Sequence, residues 1–106
     1  MIERGFPYDV PYGLASTSIS SGTTIVTTTG ADYHGIAIVA GSTAKAKVTL
    51  YDNASSASGR IIDVFVVDSD DSVWIDRYIP VKAKNGIVVS IVGTDASGAV
   101  FYNPKG

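Results

Sequence analysis

Any reaction carried out by this 106-residue chain would have to run through very few groups, because it holds one His, one Trp and no Cys. A hydrolytic triad needs an imidazole to pass a proton between a hydroxyl and a carboxylate, so it would have to use His34, with Ser and Asp partners in plentiful but unplaced supply. His34 lies inside the apolar run Tyr33 to Ala40, where an imidazole reads as a core or interface residue bonded to backbone. Asp68, Asp70 and Asp71 offer the oxygens a hard cation wants. They lack the Gly and the terminal Glu of a calcium loop, and read as a polar turn. Ser58-Gly59 has neither the flanking glycines nor the strand-to-helix setting of a nucleophile elbow. Asp63 and Asp76 each interrupt an apolar face and read as rim ion pairs with Arg60 or Arg77 across strands, rather than as a catalytic carboxylate couple. No catalytic, cofactor-binding or metal-ligating residue is assigned, and no cofactor is implied.

Binding chemistry is better represented. Phe6, Tyr8, Val10 and Tyr12 recur at every second position in MIERGFPYDVPYGL, so an extended backbone presents them on one side. Pro7 and Pro11 each remove a backbone donor and push their predecessors toward extended conformations. Residues 1–14 therefore read as an extended N-terminal arm whose rings need a groove on its own domain or on an adjacent copy. The four alternating residues are the candidate interface. Trp74, Tyr78 and Tyr51 are the rings that could form a stacking platform for a carbohydrate. Lys45 with Lys47, and Lys82 with Lys84, form two i, i+2 pairs. They offer an anion-binding stripe or, the reading favoured here, lysines on exposed or edge strands that discourage stray sheet pairing.

The elements that must position these groups are strands. Short runs rich in β-branched residues alternate with Gly, Pro and Asn-Asp-Ser punctuation, and no stretch reads as a helix. Ser16 to Ile19 and Thr23 to Thr28 read as two strands around Ser20-Ser21-Gly22, or as one long strand bulged there. Tyr33 to Ala40 is apolar on both faces, with His34, Ile36, Ile38 and Ala40 on one side, as a central strand requires. Lys45 to Tyr51 alternates strictly, setting Ala46, Val48 and Leu50 inward. Asp52 to Gly59 forms a loop of turn-favouring residues. Arg60 to Val67 and Ser72 to Pro80 follow, Asn85-Gly86 marks a tight reversal, and Ile87 to Val92 should be the most buried strand. Gly93 to Gly98 then closes a last hairpin into Ala99 to Tyr102. The expected fold is all-β: a two-sheet antiparallel β-sandwich, jelly-roll or immunoglobulin-like, over residues 15–106, with the arm at 1–14.

Length and composition bound the rest. A chain of 11.0 kDa buries roughly 65% of its unfolded surface, enough for one core without staples. With no Cys, stability rests on packing or assembly. Ten acidic against eight basic residues give a net charge of −2 without blocks of one sign, which does not attract a phosphate backbone, so nucleic acid is not expected as a partner. The longest apolar stretches are far too short to span a bilayer, and a soluble protein without a membrane partner is expected. Charged residues are 17% of the chain, against a usual figure of about 25%. Two readings of that deficit stay open: part of the surface is covered by neighbours, or it is rich in Ser and Thr.

One resemblance bears on function. Tyr33-His34-Gly35-Ile36-Ala37-Ile38, Val48-Thr49-Leu50-Tyr51-Asp52, the loop Ala54-Ser55-Ser56-Ala57-Ser58-Gly59, Lys84-Asn85-Gly86-Ile87-Val88-Val89, Gly93-Thr94 and Val100-Phe101-Tyr102 follow one another in an order that resembles a group of small tailed-phage virion proteins. The resemblance covers roughly residues 33 to 102 and rests on strand and turn signals, so no functional residue is carried over. It implies a β-sandwich cement or decoration protein on the surface of the phage head. Its implied partners are the major capsid protein and copies of itself, with a homotrimer expected. A tail, baseplate or fibre module is the alternative, and a carbohydrate-binding sandwich stands behind both.

Overall fold

Period-two patterning becomes eight strands in a computed structural model that describes residues 14–104. In chain order they are β1 (Ala15–Ser20), β2 (Gly22–Thr27), β3 (Ala31–Val39), β4 (Ala46–Asp52), β5 (Arg60–Val67), β6 (Ser72–Ala83), β7 (Ile87–Val92) and β8 (Ser97–Pro104). They form two four-stranded antiparallel sheets, ordered β1-β8-β3-β6 and β2-β7-β4-β5. The described residues include no helix. The inner faces share one core. Ile19, Tyr33, Ile36, Ile38 and Val100 come from the first sheet, and Val48, Leu50, Val67, Ile87, Val89 and Ile91 from the second. The result is a β-sandwich 19 Å across its short axis, the thickness of two sheets about 10 Å apart with side chains on their outer faces. The arm, with Phe6, Tyr8, Val10 and Tyr12, lies outside the described residues.

Where alternation is unbroken, the expected facing holds. Ala46, Val48 and Leu50 of β4 are fully buried. In β7, Ile87 and Val89 are inaccessible and Ile91 nearly so on the core face, and Val88, on the outer face, is inaccessible as well. At β3 the facing changes. The register shifts between Tyr33 and Gly35 against both neighbours. A bulge inserts one residue and reverses side-chain parity. Tyr33 on one side of it and Ile36 and Ile38 on the other thus all enter the core, while His34 is half-buried at the bulge. The expectation that His34 shares a face with Ile36 and Ile38 is corrected accordingly. Gly35 has a stringent steric reason to be Gly: a Cβ there would run into the carbonyl oxygen of Ile75.

Sheet membership also departs from the sequence reading. β1 and β2 are neither a hairpin nor one bulged strand, because they belong to different sheets. The chain crosses at Ser21, and Gly22 adopts a φ of 102° that Gly tolerates at little cost. Ser21 and Ala96 then bridge the two crossings: Ser21 N–H donates to the Ala96 carbonyl at 3.1 Å, and Ala96 N–H donates to Ser21 Oγ at 3.0 Å. Gly93 to Gly98 likewise carries the chain between sheets and is not a hairpin, since β7 and β8 lie in different sheets. Asn85-Gly86 does the same between β6 and β7. Only β4 and β5 are consecutive and paired, across the Asn53 to Gly59 loop. There the Asn53 side chain accepts from the N–H of Ser55 and Ser56 and donates to the Ser58 carbonyl.

Gly35 and Gly22 both have positive φ, but only Gly35 is crowded as well. Gly35→Ala forces backbone apart and is expected to cost about 1–3 kcal/mol. At Gly22 nothing lies within 4 Å of an added Cβ, so Gly22→Ala meets only the positive φ, about 1 kcal/mol. Urea midpoints of the two variants should differ in that order; equal shifts would overturn the steric account of Gly35.

Candidate functional site

Three strands bring a polar cluster into the core. Tyr33 of β3 is inaccessible to solvent, and its hydroxyl donates to Asp63 Oδ2 of β5 at 3.0 Å. Arg77 of β6 donates to the same oxygen from Nη2 at 2.7 Å and from Nε at 3.2 Å. The other oxygen, Asp63 Oδ1, accepts the Val64 N–H at 3.0 Å. The cluster thus joins the two sheets through a buried carboxylate both of whose oxygens accept hydrogen bonds, the condition under which burying a charge is tolerable. Burial, and then the Asp63 carboxylate, push the Tyr33 hydroxyl far above its ordinary pKa, so the phenol stays protonated and keeps donating. The hydrogen bond to Asp63 pushes Arg77 up as well. Asp63 does pair with Arg77, as the sequence allowed, but the carboxylate is buried and not at a rim. Asp76 is exposed.

A second carboxylate closes the β6-to-β7 crossing. Asp52, at the end of β4, accepts the Asn85 N–H on Oδ1 at 2.7 Å and the Lys84 N–H on Oδ2 at 3.0 Å. Arg60 donates to Oδ2 at 3.2 Å and also reaches the Lys82 carbonyl. Burial raises the Asp52 pKa, but the two backbone donors and Arg60 outweigh it, leaving the carboxyl below its ordinary value. Arg60 is thus committed to Asp52, a partner the sequence reading did not offer it, and Lys84 lies in the turn after β6. Tyr33–Asp63–Arg77 and Asp52–Arg60 are built as cross-links between strands.

The calcium-like run is a polar turn: all three Asp side chains are exposed, Asp70 N–H donates to the Gly41 carbonyl, and Asp71 N–H to that of Asp68. Among the described residues no group of three or more His, Asp or Glu is placed to hold a metal. Lys47 is exposed on β4, an inner strand of its sheet, so it matches the exposed but not the edge part of that expectation. Lys82 is on edge strand β6 and fits.

The outer sheet faces mix apolar and polar residues. On the β2-β7-β4-β5 sheet, Ile25, Val88, Tyr51 and Ile61 align in one row, Thr23, Ser90, Thr49 and Val64 in the next, and Val92, Lys47 and Val66 in a third. Ile25, Ile61, Val64, Val66 and Val92 are all exposed. On the opposite sheet, Trp74 of β6 stacks on Phe101 of β8, with centroids 5.4 Å apart and planes 25° off parallel. The rings meet because the strand between them carries only Gly35 and Ala37 at those positions. Tyr51 is on the other sheet, so Trp74, Tyr78 and Tyr51 do not form one platform.

The least expected feature is on β6. Tyr33 pairs with Val81 and Gly35 with Asp76, so Arg77, Tyr78, Ile79 and Pro80 all face the single residue His34. The surplus residues form a wide bulge within the continuous strand β6. Tyr78 is 96% exposed and Ile79 78%, while Arg77 at the base is tied to Asp63. Pro80, within an otherwise strand-like run, was the one hint in the sequence of such an interruption. In comparisons with known proteins, no family model, curated protein or solved structure matches the chain.

Tyr33→Phe should lose about 1–2 kcal/mol, because Asp63 keeps its other donors. Arg77→Ala should lose more, about 1–3 kcal/mol after allowing for its 40% side-chain exposure. The reverse ranking in chemical denaturation would refute the cross-link. For Asp52 the folded pKa is lowered, so its contribution is complete above the unfolded value of 3.8 and disappears as pH falls through the folded one. The stability deficit of Asp52→Asn, about 1–2 kcal/mol at pH 7, should therefore shrink on acidification below pH 4. A pH-independent deficit would contradict this.

Proposed function

We propose that the protein is a structural component of a tailed-phage particle, a cement or decoration protein that binds the head surface through contacts with the major capsid protein and with copies of itself, as a homotrimer. The observation that carries this is the exposed apolar content of both outer sheet faces. Exposed Ile25, Ile61, Val64, Val66 and Val92 on one sheet face, interspersed with Thr23 and Lys47, are the kind of apolar surface a partner covers. Strand order supports the same reading. Nested antiparallel pairing of β1 with β8, β2 with β7, β3 with β6 and β4 with β5 supports the jelly-roll type of sandwich, a fold used in viral capsids and lectins. An immunoglobulin-like sandwich keeps its first two strands in one sheet, and here they are in two. The virion-protein resemblance spans β3 to β8 and points the same way.

In such a role no molecule is transformed. Many contacts, each weak, are multiplied across a lattice of equivalent sites, and the bound state is favoured by mass action. The arm, with Phe6, Tyr8, Val10 and Tyr12, extends that contact to a neighbouring capsid or sister subunit.

A carbohydrate-binding reading has one observation in its favour, the half-exposed Trp74 ring stacked on Phe101. Glycan binding lost in Trp74→Ala would promote it.

Copy number in purified particles tests the main proposal. Hundreds of copies per particle are expected; a handful would move the protein to the tail or baseplate, and absence would overturn the proposal. Deleting residues 1–14 should leave the circular dichroism of the sandwich unchanged and lower particle occupancy. Full occupancy after that deletion would remove the arm from the mechanism.

A further inference from the structure

The chain holds three Asn and no Gln, and the structure places the three side-chain amides in unlike settings. Asn53 is held on both sides: its Oδ1 accepts the N–H groups of Ser55 and Ser56, and its Nδ2 donates to the Ser58 carbonyl. Asn103 precedes Pro104, which has no N–H to offer. Asn85 is exposed, and its side-chain amide makes no hydrogen bond among the described residues. Only its backbone is tied, through the N–H given to Asp52. Gly86 follows it, with no side chain to stand in the way.

That combination lets an Asn side chain react with its own backbone. The Gly86 nitrogen attacks the side-chain carbonyl carbon of Asn85, and the carbon–NH2 bond breaks as ammonia leaves with the proton given up by Gly86. The cyclic imide that results takes up water at one of its two carbonyls. Opening at one restores the ordinary backbone, with Asp at position 85. Opening at the other routes the chain through the former side chain, which adds a CH2 to the backbone and leaves the α-carboxylate as the side group. Water is the only co-reactant, and either product is more negative than the parent by one carboxylate.

We propose that Asn85 is a site of spontaneous deamidation in the folded protein, and that the isoaspartyl product opens the β6-to-β7 crossing. Asp at position 85 keeps the N–H that Asp52 accepts and an exposed side chain. The isoaspartyl chain instead carries an extra backbone atom between two fixed points. On one side Asp52 holds the Lys84 and Asn85 N–H groups; on the other, Ile87 is paired with Thr27. Gly86 has no room to absorb the added length. It is buried, and a Cβ there would meet the carbonyl oxygens of Thr27 and Asn53 at 2.5 and 2.7 Å. Either the Asp52 clamp or the first pair of β7 must give way. This chemistry is independent of where the protein acts.

The test keeps the full chain folded in warm, mildly alkaline buffer, then digests it and weighs the peptides. The mass gain of oxygen over NH should fall on the peptide carrying residue 85 and not on those carrying Asn53 or Asn103. Ammonia should be released in step, and Asn85→Gln should abolish both signals. An unmodified Asn85 in the folded chain, beside modification of the same chain in urea, would overturn the proposal, as would equal modification of Asn53. Ion exchange then separates the aged products, and electron-transfer fragmentation tells isoaspartyl from aspartyl chains. The isoaspartyl fraction should unfold at lower urea than Asn85→Asp, which should stay near the parent. Equal midpoints for the two would overturn the account of strain at Gly86.

Discussion

Side chains alternate along a strand with a period of two, and the architecture depends on where that alternation is broken. Three breaks adjoin one another. β3 shifts register at His34, β6 carries its surplus at Arg77 to Pro80, and β5 carries an extra residue at Ile62, since Leu50 pairs with Asp63 and Tyr51 with Ile61. Each break turns a residue that strict alternation would have placed elsewhere. Together they let Tyr33 enter the core beside Ile36, set Asp63 on the core face with Phe65 and Val67, and leave Arg77 within reach of both. The hydrogen-bonded cluster follows from the bulges. It also restrains them, because an inserted residue is otherwise a point where pairing can slip.

The same breaks decide what the surface carries. Parity returns Val64 and Val66 to the outer side of β5 and sends Ile61 there as well. Surplus chain in β6 removes Tyr78 and Ile79 from the core that a regular strand would have offered at least one of them. A buried carboxylate paired with a half-exposed Arg is no efficient source of stability, since its desolvation opposes the attraction. Its structural consequence is a fixed excursion joined to both sheets, with the exposed tip held at a defined place on the edge.

Strand existence and most facings were legible in the sequence because they depend on neighbours one or two residues away. Lys45 to Tyr51 displays its buried side in plain alternation, and β7 is an apolar run bounded by Gly. Sheet partition was not legible. Gly22 and Asn85-Gly86 signal that the chain turns, but the same left-handed conformations serve a hairpin and a crossing between sheets. The choice is made by pairing partners as far apart as Ala15 and Tyr102. Bulges were hidden for a similar reason. Nothing next to His34 marks it as surplus; it becomes so only when Ile36 and Tyr33 both find partners in β8. Asp63 was noticed as an interruption of an apolar face, and the pairing with Arg77 was within view, but its burial depended on Tyr33 crossing the core to meet it.

Edge strands complete the logic. β6 ends its sheet with the excursion, Pro80 and Lys82, all features that spoil a continuous row of free backbone groups and so discourage indiscriminate strand addition. β5 ends the other sheet with Asp63 turned inward and Val64 and Val66 turned out, and carries no Pro or Lys. Both adjoining edges of the sandwich are therefore blunted, β6 by its wide bulge, Pro80 and Lys82, and β5 by the bulge at Ile62 and the inward-turned Asp63.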